Sequence, residues 1–369
     1  MKISVPMEIA PRELRVAITP DSVARLIKQQ KLEVAIQSGA GLRAGFRDDV
    51  YAAAGASIVP DAASLYSSAT AVAKVQPPTP EEIARIPQGI TLISLMRPGQ
   101  SADIVGALAQ RKITSLALEL VPRITRAQSM DVLSSQSTVA GYKGVLIGAA
   151  ALPKFLPMLT TAAGNISPAK VFVIGAGVAG LQAIATARRL GGVVSAFDVR
   201  PAAREQVMSL GAAFVATELV DTTAEAAGGY ARAQTADEQT RTQTALANHI
   251  KDMDLVVTTA AIPGRPAPKL ITAQMVESMR AGSVVVDLAA ETGGNCALSQ
   301  PGDTVVAYDV TIIAPLNVPS TVPFHASQMF ARNILELLKV MVKDGALKLD
   351  ADAEIIGAMT MTHDGKVLR

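Results

Sequence analysis

Gly175, Gly177 and Gly180 stand at the spacing of a phosphate cradle. They follow an apolar run, residues 171–174, in the stretch KVFVIGAGVAGLQAIATARRLGGVVSAFDVR. A helix-like segment comes next, and a second apolar run, Val193–Phe197, ends in Asp198. Strand, glycine turn, helix, strand and acid are together the context that gives a GxGxxG its meaning as a dinucleotide site. Gly175 permits the sharp turn, Gly177 lets the backbone approach a pyrophosphate, and Gly180 lets the helix pack close to the strand. The pyrophosphate would rest on the free N–H groups at the helix N-terminus, where the dipole favours negative charge. Asp198 can accept from both hydroxyls of an adenosine ribose and would repel a 2′-phosphate, so the site reads as NAD(H) rather than NADP(H). Arg200, two residues on, works against that preference, because an arginine at this tip can serve a 2′-phosphate.

Hydride transfer to an amino or hydroxy acid needs a proton acceptor, usually histidine. The three histidines are His249, late in an expected helix, His325, beside a helix start, and His363, in the tail; each reads as structural or exposed. Transfer between two nicotinamides neither takes up nor releases a proton in the chemical step. It needs orientation and exclusion of water instead. A dense polar cluster, Arg123, Arg126, Gln128, Ser129, Asp131, Ser134, Ser135, Gln136, Ser137 and Thr138, follows an expected strand at 115–119. Its groups could hold a nicotinamide carboxamide, or form a helix N-cap and its solvated first turn. Arg15 and Lys74 lie near strand ends, as candidates for a substrate carboxylate or as ordinary surface cations. Cys296 has no histidine beside it and reads as a packing residue, and no metal site is expected.

The elements that must position these groups alternate. Strands are expected at 2–6, 32–36, 71–75, 91–95 and 115–119, with helices at 19–30 and 101–110, a pattern that predicts a parallel sheet covered on both faces. A long alanine- and glycine-containing stretch, 129–151, crosses to a second such sheet with strands at 171–174, Val193–Phe197, 213–216, 255–259, 283–288 and 305–307. The fold class is therefore α/β, two Rossmann-like doubly wound parallel-sheet domains with a cleft between them. Helical periodicity over 327–343 returns the chain to the first domain. This gives a discontinuous domain of 1–134 plus 327–369 and a nucleotide domain of 135–326. Residues 221–244, polar and carrying Gly228, Gly229 and Tyr230, read as a loop, either a solvated insertion or a mobile lid that closes over a cofactor.

The chain has 369 residues, 49% hydrophobic and 18% charged, a net charge of +2, one cysteine and no tryptophan. So small a charge and so few aromatics, 3%, leave neither an electrostatic nor a stacking basis for nucleic-acid binding. One cysteine makes a reducing compartment the default. No signal peptide or membrane span is evident, since the best apolar candidate, 145–159, is broken by Pro153, Lys154 and Pro157.

The runs ELRVAITP, AVAKVQPP, PRITRAQSMDVLSSQSTVAGYKGVLIGA, VIGAGVAGLQAIATARRLG, DVRPAAREQVMSLGA, AAGGYA, TTAAIPGRPAPKLIT and SVVVDLAAETGGNC closely resemble the NAD-binding domain I of proton-translocating nicotinamide nucleotide transhydrogenases. The resemblance covers essentially the whole chain. It implies a homodimeric NAD(H)-binding unit that sits on the cytoplasmic face of a membrane-embedded domain II and passes hydride directly to or from NADP(H) on a domain III, coupled to proton translocation. It further implies that Arg123, Gln128, Asp131 and Ser134 surround the nicotinamide, with Gln128 reaching toward the partner's NADP(H). Val178, Asp198, Val199 and Arg200 would hold the adenosine side. Gly229 and Tyr230 would belong to a lid, and Ala261 would line the pocket. The wider superfamily includes alanine dehydrogenase, whose substrate-binding arginine and lysine match Arg15 and Lys74. Its catalytic histidine would fall at 94–96, where this chain reads Ser94-Leu95-Met96. A soluble alanine-dehydrogenase-like enzyme is therefore the alternative expectation.

Overall fold

Short apolar runs become the strands of two large, mainly parallel sheets, because each run is buried on both faces. The computed structural model describes every residue except 100, 217–234, 262–264, 344 and 350–352. The chain divides into two units, Met1–Gln136 with Ser320–Arg369, and Ser137–Pro319.

In the first unit the strands run, edge to edge, Lys366–Val367, Thr360–His363, Thr114–Ala117, Thr91–Ser94, Ala71–Ala73, Lys2–Val5, Glu33–Gln37 and Ser57–Val59. All pair in parallel except the two C-terminal strands, where Thr360–His363 lies antiparallel to Thr114–Ala117. Strand alternation sorts the side chains into two cores. Ile3, Val5, Val34, Ile36 and Ile93 face one way with Phe330, Ile334 and Leu338 of the helix Pro323–Met341. Ala35, Val72, Leu92 and Ala117 face the other way with Val105 and Leu108 of the helix Ala102–Gln110.

The second sheet has the order Ala213–Phe214, Val193–Phe197, Lys170–Ile174, Leu255–Thr258, Val284–Asp287, Val310–Ile313 and Thr304–Ala307. Only the last strand is antiparallel. Val171, Val173, Val257 and Val286 form one core; Phe172, Ile174, Val256 and Val285 form the other. The α/β class with parallel sheets is therefore as the sequence indicates.

The glycines of the helix Val132–Ala151 have a packing reason. A Cβ on Gly141 would overlap the Ala179 carbonyl, one on Gly144 would lie 2.8 Å from Leu288, and one on Gly148 would overlap Leu255. This smooth face brings the helix against the sheet and against the start of the helix Val178–Arg189. The expected loop at 221–244 needs correction at its C-terminal end. A helix, Ala236–Ile250, begins there, capped by Thr235 and Glu238, each of which satisfies the other's backbone N–H. Its buried stripe is only Thr242, Leu246 and Ile250, too thin to stand out from the polar residues around it.

Candidate functional site

In the second unit the strand order reverses beside Lys170–Ile174. The chain leaves this strand toward Val193–Phe197 and returns on its other side as Leu255–Thr258. Ligands of open α/β sheets bind outside the carboxyl ends of the strands at such a point. The glycine turn occupies that position. Gly175 has a φ of +93°, and a Cβ there would lie 2.8 Å from Thr259 Oγ1 and 3.0 Å from the Ala260 nitrogen. A Cβ on Gly180 would overlap the Gly175 carbonyl oxygen, so this glycine sets how closely the helix meets the strand. Gly177 differs, because a Cβ there would meet nothing within 4 Å. It stands at the helix N-cap, and the open space before it fits a pyrophosphate placed against free N–H groups. Val178, the first helical residue, is exposed beside it.

Asp198 closes the strand Val193–Phe197 and is buried. It accepts from the Ala176 N–H at 2.7 Å, from the Arg200 N–H at 2.9 Å, and from Arg200 Nε and Nη2 at 2.9 and 2.8 Å. Val199 packs against the core beneath. The structure thus brings Gly175, Gly177, Val178, Gly180, Asp198, Val199 and Arg200 together in one unit. Ala261 is exposed and follows Ala260, which is gripped by Asn295. Gly229 and Tyr230 lie outside the described residues.

Sequence reasoning missed the residues that shape the turn from below. Thr259 Oγ1 donates to the Gly175 carbonyl at 2.9 Å. Asp287, fully buried, accepts from Thr258 Oγ1, Ser299 Oγ and the N–H groups of Ala289 and Cys296. The available signal was an acid ending an apolar strand, VVVD, the same pattern that singled out Asp198.

The first unit holds Arg123, Gln128, Asp131 and Ser134. Gln128 lies in a 3₁₀ segment, Thr125–Met130, and is exposed, as is Arg123. Asp131 accepts from the Ser134 N–H at 2.9 Å and from Ser134 Oγ at 2.6 Å, so it caps the helix Val132–Ala151. Arg126 pairs with Glu354.

The carboxyl edge of the first sheet carries a buried charged cluster where Lys2–Val5 and Ala71–Ala73 meet. Glu13 holds the Arg15 guanidinium by both oxygens, at 2.8 and 2.7 Å, and Gln136 accepts from Arg15 Nη1 at 2.8 Å. Lys74 Nζ lies 2.5 Å from Glu82 and 3.6 Å from Glu8. Burial acts to raise the Glu13 carboxyl, but Arg15's hydrogen bonds and charge outweigh it and hold it at about 2. Burial prevails at Glu8 and raises it, against the pull of Lys74 and the Val75 N–H. Arg15 and Lys74 are therefore interior groups rather than surface cations.

The helix turn that carries His325 packs on this cluster, since the Ala326 carbonyl accepts from Gln136 Nε2 at 3.2 Å. His249 is in the second unit, bonded to Ser195 Oγ at 2.8 Å, and burial lowers its pKa. His325 lies edge-on to Phe324 in the first turn of its helix. His363 meets Thr114 Oγ1 at 3.0 Å, at the amino end of Thr114–Ala117. Cys296 is buried, which pushes its thiol up. Among the described residues no cluster of metal-ligating side chains occurs, and no helix is long and apolar enough to cross a membrane.

Comparison with known proteins agrees with this geometry. Family models for the alanine dehydrogenase/PNT N-terminal and C-terminal domains match residues 4–140 and 144–369. A Rhodospirillum rubrum protein named as the first part of an NAD(P) transhydrogenase subunit alpha is 46% identical over 376 residues, covering 100% of this chain and 98% of that protein. A solved transhydrogenase structure from Sinorhizobium meliloti superposes with a TM-score of 0.91 at 43% identity, with full coverage of both chains. An alanine dehydrogenase from Halomonas elongata is 31% identical over 382 residues, covering 100% of this chain and 94% of that enzyme.

Proposed function

Because the chain belongs to the alanine dehydrogenase/PNT family, we propose that it is the NAD(H)-binding subunit of a proton-translocating NAD(P) transhydrogenase. The observation that carries this reading is the glycine turn at the switch point of the second sheet, with open space at Gly177 and the carboxylate of Asp198 at the next strand end. Bound NAD(H) would supply the nicotinamide carbon that exchanges hydride with NADP(H) on a partner domain.

In this reading Gly175, Gly177 and Gly180 seat the pyrophosphate on backbone N–H groups. Val178, Asp198, Val199 and Arg200 border the adenosine end, and Ala261 lines the pocket. Arg123, Gln128, Asp131 and Ser134 serve the nicotinamide end, and Gly229 and Tyr230 belong to a lid. Ser137–Pro319 is then the NAD(H) domain, and the discontinuous first unit the alanine-dehydrogenase-like one. A membrane-embedded domain II couples the exchange to proton movement and a domain III carries NADP(H), which places this subunit on the cytoplasmic face of the membrane.

A homodimer completes the assembly. The two-stranded hairpin Leu159–Thr161 and Gly164–Ile166 pairs with no other strand among the described residues. Phe155, Met158 and Ile166 on and beside it are exposed. A lone hairpin is marginal in water, and a second copy of this surface would cover it.

The test is to mix the protein with an isolated domain III and follow reduction of an NAD analogue by NADPH. Exchange that needs both proteins supports the reading. An unchanged rate in Gln128→Asn would remove that residue from the hydride site. The alternative, a free-standing alanine dehydrogenase, finds support in the 31% identical relative and in Arg15 and Lys74. Against it stands Ser94-Leu95-Met96, where a proton acceptor is needed. Turnover of NADH with pyruvate and ammonia, with no partner present, would establish it instead.

A further inference from the structure

Asp198 is saturated before any nucleotide reaches it. A carboxylate offers about four lone-pair sites. Four donors fill them here, the Ala176 and Arg200 N–H groups and Nε and Nη2 of Arg200. The first two are fixed by the backbone. Ala176 lies in the glycine turn, and Arg200 is the extended N-cap of the helix Pro201–Ser209. The other two belong to a guanidinium on a rotatable stem.

An adenosine ribose presents two adjacent hydroxyls that need the same carboxylate oxygens. Resting on the NAD(H) reading of this site, we infer that Arg200 is a side-chain gate that sets coenzyme specificity. Its guanidinium and the ribose diol compete for Asp198. Binding of NAD(H) therefore breaks two charge-assisted hydrogen bonds, which weakens NAD(H). The same pairing offsets the negative charge that would repel a 2′-phosphate. It also keeps beside Asp198 a planar fork that matches phosphate oxygens. Arg200 thus narrows the discrimination that Asp198 alone would impose.

Specificity is a difference of two affinities, so the experiment measures both. Dissociation constants for NADH and NADPH are determined by fluorescence titration on the full chain and on Arg200→Gln, with 5′-AMP and 2′,5′-ADP as fragment probes. Removing the guanidinium tightens NADH and weakens NADPH, raising the preference for NADH by roughly threefold or more. The preference for 5′-AMP over 2′,5′-ADP moves in the same direction. A smaller rise, or a fall, overturns the gate. Arg200→Lys keeps the stem and the charge but lacks the fork, which covers the case in which Arg200→Gln does not fold. It gives a smaller rise, and a fall there overturns the gate as well. A wild-type chain that fails to bind NADH overturns the underlying reading, whereas firm NADH binding with an unmoved preference overturns only the role of Arg200.

Discussion

Asn295 grips Ala260 by both edges of the backbone, accepting its N–H at 3.0 Å and donating to its carbonyl at 2.8 Å. The same amide donates to the Pro268 carbonyl at 2.9 Å. Asn295 is fully buried, so the segment after Leu255–Thr258 is held against the glycine turn from inside the domain. Asn295→Ala leaves these groups unpaired and destabilises the protein by on the order of 3 kcal/mol. Asn295→Asp keeps the acceptor but turns a carboxylate toward two carbonyls, and NADH affinity falls about tenfold or more. Calorimetry and NADH titration check both. Wild-type melting and wild-type affinity in Asn295→Ala would show that the clamp holds nothing in place.

Gly177 and Gly180 separate binding from folding. Gly177→Ala adds a methyl to open space at a backbone conformation alanine accepts, with a φ of −74°. The melting temperature stays within about 3 °C of wild type, while NADH affinity falls because the methyl occupies the pyrophosphate's approach. Gly180→Ala drives a methyl into the Gly175 carbonyl and costs about 1–3 kcal/mol as well as binding. Equal melting losses in the two variants would contradict this assignment.

These glycines were legible because their requirements are local. A turn, a cap and a strand-end acid follow one another along the chain, and the buried strands read as unbroken apolar runs. Asn295 was not legible, because its partner Ala260 is 35 residues away and an asparagine in a GGN sequence resembles any turn. Gly141, Gly144 and Gly148 show the same limit, since spacing gives a smooth helix face but not the Ala179 backbone it must meet. Ser57–Val59 was missed because an edge strand of three half-exposed residues carries no apolar run. Asp131 matches both readings of its cluster at sequence level, and its bond to the Ser134 N–H makes the cap real without deciding the cofactor role.

Glu8 and Glu13 give the first unit opposite responses to pH. Glu13 titrates at about 2 in the folded protein against an ordinary 4.5. Its contribution is present above pH 4.5 and is lost as pH falls through that range toward 2. Its removal in Glu13→Gln costs about 3 kcal/mol at neutral pH. Glu8 is raised above 4.5, chiefly by burial. The folded state then binds more protons than the unfolded one, so its contribution is present below 4.5 and is lost as pH rises toward the folded value. Urea unfolding from pH 2 to 8 should show a shallower acid limb in Glu13→Gln and a shallower decline above pH 4.5 in Glu8→Gln. Parallel curves for wild type and both variants would refute the assignment.

The unpaired hairpin predicts its own disruption. Charge placed at Met158 or Ile166 has nothing to oppose it in a free subunit, where both side chains are exposed. Buried against a second copy, it would be repelled and desolvated. Met158→Asp with Ile166→Asp should therefore sediment as a monomer with an unchanged melting transition at low concentration. A wild-type chain that already sediments as a monomer would remove the proposed interface.

The histidines supply the last expectation. Exchange between two nicotinamides releases no proton, so the proposed step needs none of the three histidines. His249 is bonded inside the second core to Ser195 and lies edge-on to Phe172. His249→Gln should cost about 1 kcal/mol of stability and leave the exchange rate with a domain III protein within about twofold of wild type. His325→Gln and His363→Gln should change neither, because one packs on Phe324 and the other pairs with Thr114 at the far end of its strand. The pH–rate profile should then show no limb near 6.5, the ordinary histidine value. A tenfold loss of exchange in any of the three variants, with the fold intact by circular dichroism, would mean that a proton does move in the step, and the dehydrogenase reading would regain its footing.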